Sequence, residues 1–255
     1  MLQVIIPLLL IFLSFSSYTS ERSSGRLKLL LVQGLSLRKI VFAKSITIWF
    51  IGLIFLITTI IVQLIFVDSG LNEDVLSRLI YLLISFSTYY FILVSLTISL
   101  SVLFKNSTSS LSLIILIWVS WTVFLPTIAS NTSEKLIPLP TRAEFKEAML
   151  EDRSKGIDGH NPRGERRDAL EKETLEKYNV ENLIDLPINF SGILMQEDEE
   201  YGNMVWDKHF GSLYEKLELQ KKSYQLSGVI NPFASVQSLS MAYSGTDMYH
   251  HLHFL

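Results

Sequence analysis

Four long apolar stretches dominate the first half of the chain. They cover residues 1–20, 45–67, 79–104 and 111–129, and none of them contains Asp, Glu, Lys, Arg or His. A hydrocarbon core about 30 Å thick requires roughly 20 helical residues, and a backbone in lipid must satisfy its polar groups internally. Each stretch is also longer than the strands of soluble sheets. The pattern therefore predicts an all-α, polytopic membrane protein with four transmembrane helices.

The first stretch can also be read as a cleaved signal peptide. It lacks a basic start and a cleavage site of small residues, and Glu21 follows it directly. We therefore expect residues 1–20 to remain as a membrane helix.

The pattern changes near residue 130, where charged residues become frequent. Residues 1–129 carry a net charge of +4, whereas residues 130–255 carry −7. Signals for helix ends recur in this second half, and no alternating strand pattern competes with them. The sequence thus predicts a transmembrane region over 1–129 and a soluble, mostly helical domain over 130–255.

Three helices are expected in that domain. Thr141 and Glu144 have the spacing of a capping box for a helix that ends near Lys155, and Pro162 suits the first turn of a second helix. A longer helix is predicted over residues 196–226.

Charges indicate the orientation of the predicted spans. The segment 21–44 holds six basic residues and one acidic residue, and short loops rich in Lys and Arg mark the cytoplasmic side. Lys105 lies in the next loop expected on that side. Counting spans from there places residues 130–255 on the extracytoplasmic side.

The segment 21–44, called the basic segment below, has a helical pattern of its own. An apolar cluster comes first, Gly34 and Ser36 interrupt it, and Leu37, Ile40 and Val41 resume at helical spacing. The cluster consists of Leu27, Leu30, Leu31 and Val32. The pattern predicts two short helices joined by a turn. It fits equally a loop that lies on anionic headgroups and a docking element for a cytoplasmic partner.

The stretch "ERSSGRLKLLLVQGLSLRKIVFAK" resembles the segment that follows the second membrane helix in permease subunits of type-2 ATP-binding-cassette exporters. In that family the segment is the coupling element that contacts a separate ATPase subunit. Leu37 replaces a residue that is usually small or polar there. The resemblance implies a role in ATPase coupling for Glu21, Arg22, Gly25, Arg26, Leu27, Leu31, Gly34, Arg38 and Lys39.

The rest of the chain is similar to the extracytoplasmic domain of a bacterial subgroup of these permeases. The similarity is carried by "GHNPRGERRDAL", by the stretch from "YNVENLIDLPINF" to "WDKHFGSLY", and by "NPFASVQSLSMAYSGTDMYHHLHF". It implies a bacterial inner-membrane location, a second permease copy, and ATP and Mg²⁺ on the partner ATPase. Family members have six spans, so the resemblance also implies a fragment without the first and last membrane helices.

The chemistry of the predicted spans agrees with an externally powered permease. Ion-coupled carriers place ionisable groups near the middle of the membrane, and these spans contain none. The chain has no G-x-x-x-x-G-K-[ST] phosphate-binding loop. We therefore expect no cofactor on this chain, no enzymatic activity of its own and no nucleic-acid partner.

Small hydroxyl residues recur on one face of the third predicted span. Ser85, Thr88, Ser95 and Ser99 are separated by three, seven and four residues. Such residues serve helix packing or line a substrate pathway.

Histidines suggest two alternative functions for the second half. Asp247, His250, His251 and His253 have a spacing that can bring metal ligands together, although an interfacial segment has the same composition. We expect His160 and His209 to be hydrogen-bonded structural histidines; they can serve an extracytoplasmic hydrolase only if acidic residues join them in a cleft. No G-x-S-x-G or H-E-x-x-H motif is present. A membrane-anchored hydrolase, or a metal-binding or assembly protein, is therefore the alternative to a permease.

Overall fold

The computed structural model describes residues 1–66 and 72–254, with side chains as far as His251. All regular structure in this part of the chain is helical, which confirms the predicted fold class. The α-helices are α1 (Ile5–Ser14), α2 (Thr19–Ser23), α3 (Arg26–Val32), α4 (Leu37–Phe66), α5 (Glu73–Leu103), α6 (Ser107–Val119), α7 (Leu125–Leu136), α8 (Arg142–Lys155), α9 (Arg163–Tyr178), α10 (Phe190–Leu226), α11 (Pro232–Tyr243) and α12 (Met248–Phe254).

Three helical rods in the described chain are long and apolar enough to cross a membrane. They are α4, α5, and the continuous rod Ser107–Leu136, in which a π-helical turn, Ser120–Phe124, joins α6 to α7. At 1.5 Å per residue each rod is about 45 Å long. Only 17%, 28% and 6% of the residues in their most apolar windows are buried, so their apolar side chains need a lipid environment.

The first apolar stretch differs from the prediction, because it does not form a fourth long helix. Helix α1 has ten residues, turns follow it, and α2 has five residues. Side chains compete for the carbonyl groups at the break: Thr19 donates to the Ser16 carbonyl, and Lys44 donates to that of Ser17. Serine-rich sequence offers the backbone such local alternatives to a helix.

The long helices also begin earlier than the apolar stretches suggested. Helix α4 begins at Leu37 and not at residue 45, because no helix-breaking residue separates the basic positions from the span. Helix α5 begins after Asn72, whose side chain accepts a hydrogen bond from the Val75 N–H. Residues 67–71, where one predicted span ends and the next loop begins, lie outside the described part of the chain.

Helix α5 lies at the centre of the apolar core, with α1, α4 and α11 packed around it. Tyr89 and Tyr90 are almost completely buried on α5. On α4, Gly52 allows a close approach, since a Cβ atom there would lie 3.0 Å from a Leu10 methyl group and 3.1 Å from the Tyr90 ring. Small residues permit this kind of helix contact in membranes.

The long helices define two ends of this bundle. The basic end is where α5 ends and α6 begins, and the first residues of α4 also lie there. The far end is where α5 begins. Ile40 near the start of α4 packs in one cluster with Val102 near the end of α5, so α4 runs from the basic end to the far end.

The described residues form two compact units. The first comprises Met1–Asn131 together with the residues from Ser223 onward, and the second is Thr132–Lys222. The sequence predicted one domain from residue 130 to the end. The difference arises because α11 buries Phe233 and Val236 in the apolar core that contains Tyr89 and Tyr90.

The second unit contains the helices whose ends the sequence marked. The capping box of Thr141 and Glu144 is present at the start of α8, and Gly156 ends that helix. Pro162 is the N-cap of α9 and not its first helical residue. Helix α10 begins at Phe190, six residues before the predicted start.

A buried arginine holds this unit together. The Arg166 guanidinium lies over the Tyr201 ring, with 3.3 Å between Cζ and the ring centroid. It also donates hydrogen bonds to the carbonyl groups of Asn161 and Arg153. The Tyr201 hydroxyl accepts a hydrogen bond from the Ile157 N–H, so this pair joins α8, α9 and α10.

Candidate functional site

The basic segment folds as short helices connected by glycine turns. Gly25 separates α2 from α3 with φ of +75°, and Gly34 separates α3 from α4 with φ of +86°. L-residues with a Cβ atom disfavour this left-handed region. The predicted turn is therefore present, but the second predicted short helix is the first part of α4.

A small apolar cluster anchors α3. Leu27 on α3, Ile40 on α4 and Tyr18 before α2 are all buried and pack in one cluster, with Leu30 and Val102 at the edge. Leu27 thus belongs to the core of the site. The contacts fix α3 against the first turns of α4 and the last turn of α5.

An ion pair closes the basic segment. Glu21 Oε1 lies 2.8 Å from Lys44 Nζ, and each side chain is 21% exposed. Lys44 also donates to the carbonyl and the hydroxyl of Ser17. The site prediction included Glu21 but omitted Lys44, although the opposite charges at the two ends of the segment were a usable signal.

Hydroxyl groups connect the basic segment to the basic end of the long helices. Ser101 Oγ, near the end of α5, accepts hydrogen bonds from the backbone N–H groups of Tyr18 and Thr19. The Thr19 hydroxyl is hydrogen-bonded to that of Ser107, the first residue of α6. Sequence patterns gave no sign of these contacts. They place the basic segment and Lys105 at the same end of the bundle.

Many side chains of the basic segment outside the apolar cluster are exposed, and they include both basic and apolar groups. Five basic side chains are exposed, and none of them forms an ion pair among the described residues; they are Arg22, Arg26, Lys28, Arg38 and Lys39. Leu29 is 66% exposed and Val32 is 86% exposed, and Leu31 and Gly34 are exposed beside them. Exposed apolar and basic side chains in one short segment are suited to a partner that offers apolar and acidic groups.

The hydroxyl residues of α5 lie on its less buried side. Ser85, Thr88 and Ser99 each donate to the carbonyl four residues earlier, and Ser95 provides one of those carbonyls. Thr88 and Ser99 are exposed in the described chain, so any helix that packs at these positions lies outside the described residues.

Two of these hydroxyl residues line a groove. Ser85 and Thr88 border an open groove of about 530 Å³ together with Trp121, Val229 and other mostly apolar side chains. Both roles predicted for this face, lining a substrate pathway and packing against a helix, stay predictions.

The second unit contains one histidine in a charged cluster. Asp152 Oδ2 lies 2.9 Å from His209 Nε2 and 2.9 Å from Lys208 Nζ, and Lys208 also binds Asp158. Burial acts to raise the pKa of the Asp152 carboxyl, but hydrogen bonds from Lys208 and His209 outweigh it and lower the pKa. No serine or threonine hydroxyl is hydrogen-bonded to His209 within the described residues, so this cluster lacks the nucleophile contact of a hydrolase.

The candidate metal ligands near the end of the chain are only partly brought together. Asp247 Oδ1 is hydrogen-bonded to His250 Nδ1 and to the His250 N–H. His251 is exposed, and the side chain of His253 lies outside the described residues. Where side chains are described, no three potential ligands form a group that can hold a metal ion.

Comparisons with known proteins give two matches. A family model described as ABC-2 family transporter protein matches residues 1–170. A second, described as a domain of unknown function (DUF3526), matches residues 142–255. No match was found among curated proteins or solved structures. The first match includes the basic segment and all three long helices.

Proposed function

Because the first match covers 170 of the 255 residues, the chain belongs to the ABC-2 transporter family, and we propose that its basic segment is the docking site for a separate ATPase subunit. The protein is a membrane permease of the ABC class. Export as its direction of transport is part of our proposal. The observation that supports the docking role is that the segment is anchored by buried side chains and exposes many basic and apolar ones.

Anchoring matters because a coupling element must transmit force. Helix α3 is held by Leu27 and Ile40, and the Glu21–Lys44 ion pair joins α2 to α4. Helix α4 then continues for 30 residues without interruption. A displacement of the basic segment by an ATPase would therefore move α4 as a rod, and the contacts to Ser101 and Ser107 would carry it to α5 and α6.

The same proposal sets the orientation in a bacterial inner membrane. Lys105 and the basic residues at the basic end favour the cytoplasmic side for that end. The far end and the unit Thr132–Lys222 then lie on the extracytoplasmic side. ATP and Mg²⁺ are expected on the partner subunit, and a second permease copy is expected to complete the pathway across the lipid bilayer.

A charge reversal on the exposed face tests the docking role. The native full-length protein is tagged, purified in a mild detergent with its associated proteins, and assayed for ATP hydrolysis. We expect the wild type to retain an ATP-binding partner in stoichiometric amount, and the Arg38→Glu/Lys39→Glu variant to lose most of it. The physical reason is that two cations on the docking face become anions, whose contact with acidic groups is repulsive.

A matched control separates docking from a general charge effect. Arg167→Glu/Lys172→Glu makes the same change in charge on exposed positions of α9. This variant is expected to retain the partner. Normal association and ATP hydrolysis in the Arg38/Lys39 variant would contradict the proposal, as would purification of the wild type alone under several mild conditions.

A further inference from the structure

The end of α10 and helix α11 form a hairpin inside the first unit. The Tyr224 hydroxyl donates to Gln237 Oε1, so the two arms lie side by side. A short 3₁₀ turn, Ser227–Val229, and Asn231 form the tip. We call residues 223–243 the hairpin.

The depth of the hairpin follows from its contacts. Asn231 Nδ2 donates a hydrogen bond to the Trp121 carbonyl at 2.8 Å. Trp121 lies 14 residues after Ser107, or roughly 21 Å along the rod Ser107–Leu136. Tyr243 stacks on Tyr81, about 12 Å from the start of α5. The tip is therefore near the middle of the long helices, and the arms extend toward the far end.

The composition of the hairpin suits this depth. Residues 223–246 contain no Asp, Glu, Lys, Arg or His. At the tip, Val229 is 88% exposed and Ile230 is 76% exposed, which is favourable in hydrocarbon and unfavourable in water.

Several backbone groups at the tip have hydrogen-bond partners within the hairpin. The N–H groups of Ile230 and Asn231 bind the Ser227 carbonyl, Ser235 Oγ donates to the Gly228 carbonyl, and the Phe233 N–H binds Asn231 Oδ1. Irregular backbone at membrane depth needs such partners because water does not supply them.

The contact between Asn231 and Trp121 has a specific cause. In the π-helical turn Ser120–Phe124, the Leu125 N–H binds the Ser120 carbonyl five residues earlier. The next donor in that register, for the Trp121 carbonyl, is residue 126, and proline has no N–H. Asn231, which is completely buried, supplies the missing donor.

We propose that Asn231 is a positioning residue that locks a membrane-inserted hairpin to the rod Ser107–Leu136 by replacing the N–H that Pro126 lacks. The hairpin and the middle of this rod are thereby fixed to each other. Any movement of the rod during transport carries the hairpin tip with it.

Insertion is tested with single cysteines, since the chain contains none of its own. Val229→Cys and Ile230→Cys probe the exposed tip, and Met195→Cys and Thr246→Cys probe exposed positions outside the hairpin. The full chain is reconstituted in lipid vesicles and treated with a membrane-impermeant maleimide. The vesicles are transiently permeabilised during the treatment, so that the reagent reaches the aqueous phase on both sides of the membrane. We expect the two control positions to be labelled and the tip positions to be labelled only after denaturation. Equal labelling of tip and controls would overturn insertion.

Spin labels at the tip distinguish lipid from protein cover. A nitroxide at Val229→Cys is expected to be accessible to oxygen and inaccessible to a polar nickel chelate. Access by the chelate would place the tip in water, and protection from both reagents would place it in a protein interface; either result overturns the lipid-inserted tip.

The lock is tested by a double-mutant cycle. Asn231→Ser retains a side chain that caps α11 but is too short to reach Trp121. It is expected to increase tip mobility, measured as the maleimide reaction rate of Val229→Cys in detergent, by about three- to tenfold. Pro126→Ala restores a backbone N–H near Trp121, so the effect of Asn231→Ser in that background is expected to be much smaller. Equal effects of Asn231→Ser in both backgrounds would overturn the lock.

Discussion

Glu21 Oε1 and Lys44 Nζ lie 2.8 Å apart, although the two residues are 23 positions apart in the sequence. This ion pair joins the two ends of the basic segment, one on α2 and the other on α4. The pair is partly buried, so it is less screened by water than an ion pair on the surface. It converts the basic segment from a tethered loop into a fixed platform. This explains how a segment with so many exposed side chains can have one defined shape.

Neutralising one member of this pair should loosen the platform. Glu21→Gln and Lys44→Met each leave a partly buried charge without its partner, at a cost of roughly 1–3 kcal/mol. We expect each variant to have a lower thermal stability. We also expect each variant to stimulate ATP hydrolysis by the partner subunit less than the wild type does. The reversed pair, Glu21→Lys with Lys44→Glu, should recover part of both losses, and absence of any recovery would indicate that the charges act separately.

Gly25 has a positive φ but open space around it, so replacing it should destabilise the backbone conformation without a clash with other residues. A Cβ atom at Gly25 would meet no atom within 4 Å, so Gly25→Ala costs only the left-handed conformation, about 1–2 kcal/mol. Gly25→Asn should cost less. Gly164→Ala in α9 is the control, because its Cβ also meets nothing and its φ is not in the left-handed region. Hydrogen exchange of α3 measures the difference; equal protection in the two alanine variants would refute this explanation.

The Asp152 cluster predicts a loss of stability in acid. The pKa of the Asp152 carboxyl is lowered in the folded protein, so its contribution is fully present above the ordinary value of 3.8 and disappears as the pH falls through the lowered pKa. Hydrogen exchange of α8 should show wild type and Asp152→Asn converging as the pH falls below about 4. Glu151→Gln, an exposed carboxyl beside Lys155, is the control and should leave the acid dependence nearly unchanged. A constant difference between wild type and Asp152→Asn at all pH values would exclude this role.

Lys208 gives the complementary effect in alkali. Hydrogen bonds to Asp158 and Asp152 raise its pKa, so its contribution is present below the ordinary 10.5 and is lost as the pH rises through the higher value. The two effects leave a wide neutral range in which the cluster is intact.

The buried guanidinium of Arg166 predicts a large effect of substitution. Arg166→Met removes the contact with the Tyr201 ring and two hydrogen bonds, and should destabilise the second unit by about 2–4 kcal/mol. Arg166→Lys should recover little, since an ammonium group lacks the planar fork. The exposed neighbour Arg167 provides the control, and its change to Met should be nearly neutral. Hydrogen exchange of α9 in the full-length protein measures both; similar exchange in the two Met variants would show that the Tyr201 contact is unimportant.

Much of the fold could be predicted because its signals are local. The length of the uncharged apolar stretches predicted α4, α5 and the rod Ser107–Leu136. The spacing of Thr141 and Glu144 predicted the start of α8. Four of the five exposed cations of the basic segment belong to the predicted docking site, which stays a prediction; they are Arg22, Arg26, Arg38 and Lys39. The break after α1 was missed: the local serines permit it, but one of the groups that bind a carbonyl there is a lysine 27 residues away.

The sequence by itself determined that this chain is helical and membrane-spanning, where its long helices lie, and that one segment is basic with glycine turns. Those properties follow from hydrophobicity, helix length and backbone preference, which act over a few neighbouring residues. Only the tertiary structure decided that Lys44 pairs with Glu21, that α11 lies in the apolar core, and that Asn231 binds the Trp121 carbonyl. The physical reason is that buried charges and unpaired carbonyl groups take whichever partner the packed helices bring within reach, however distant it is in sequence.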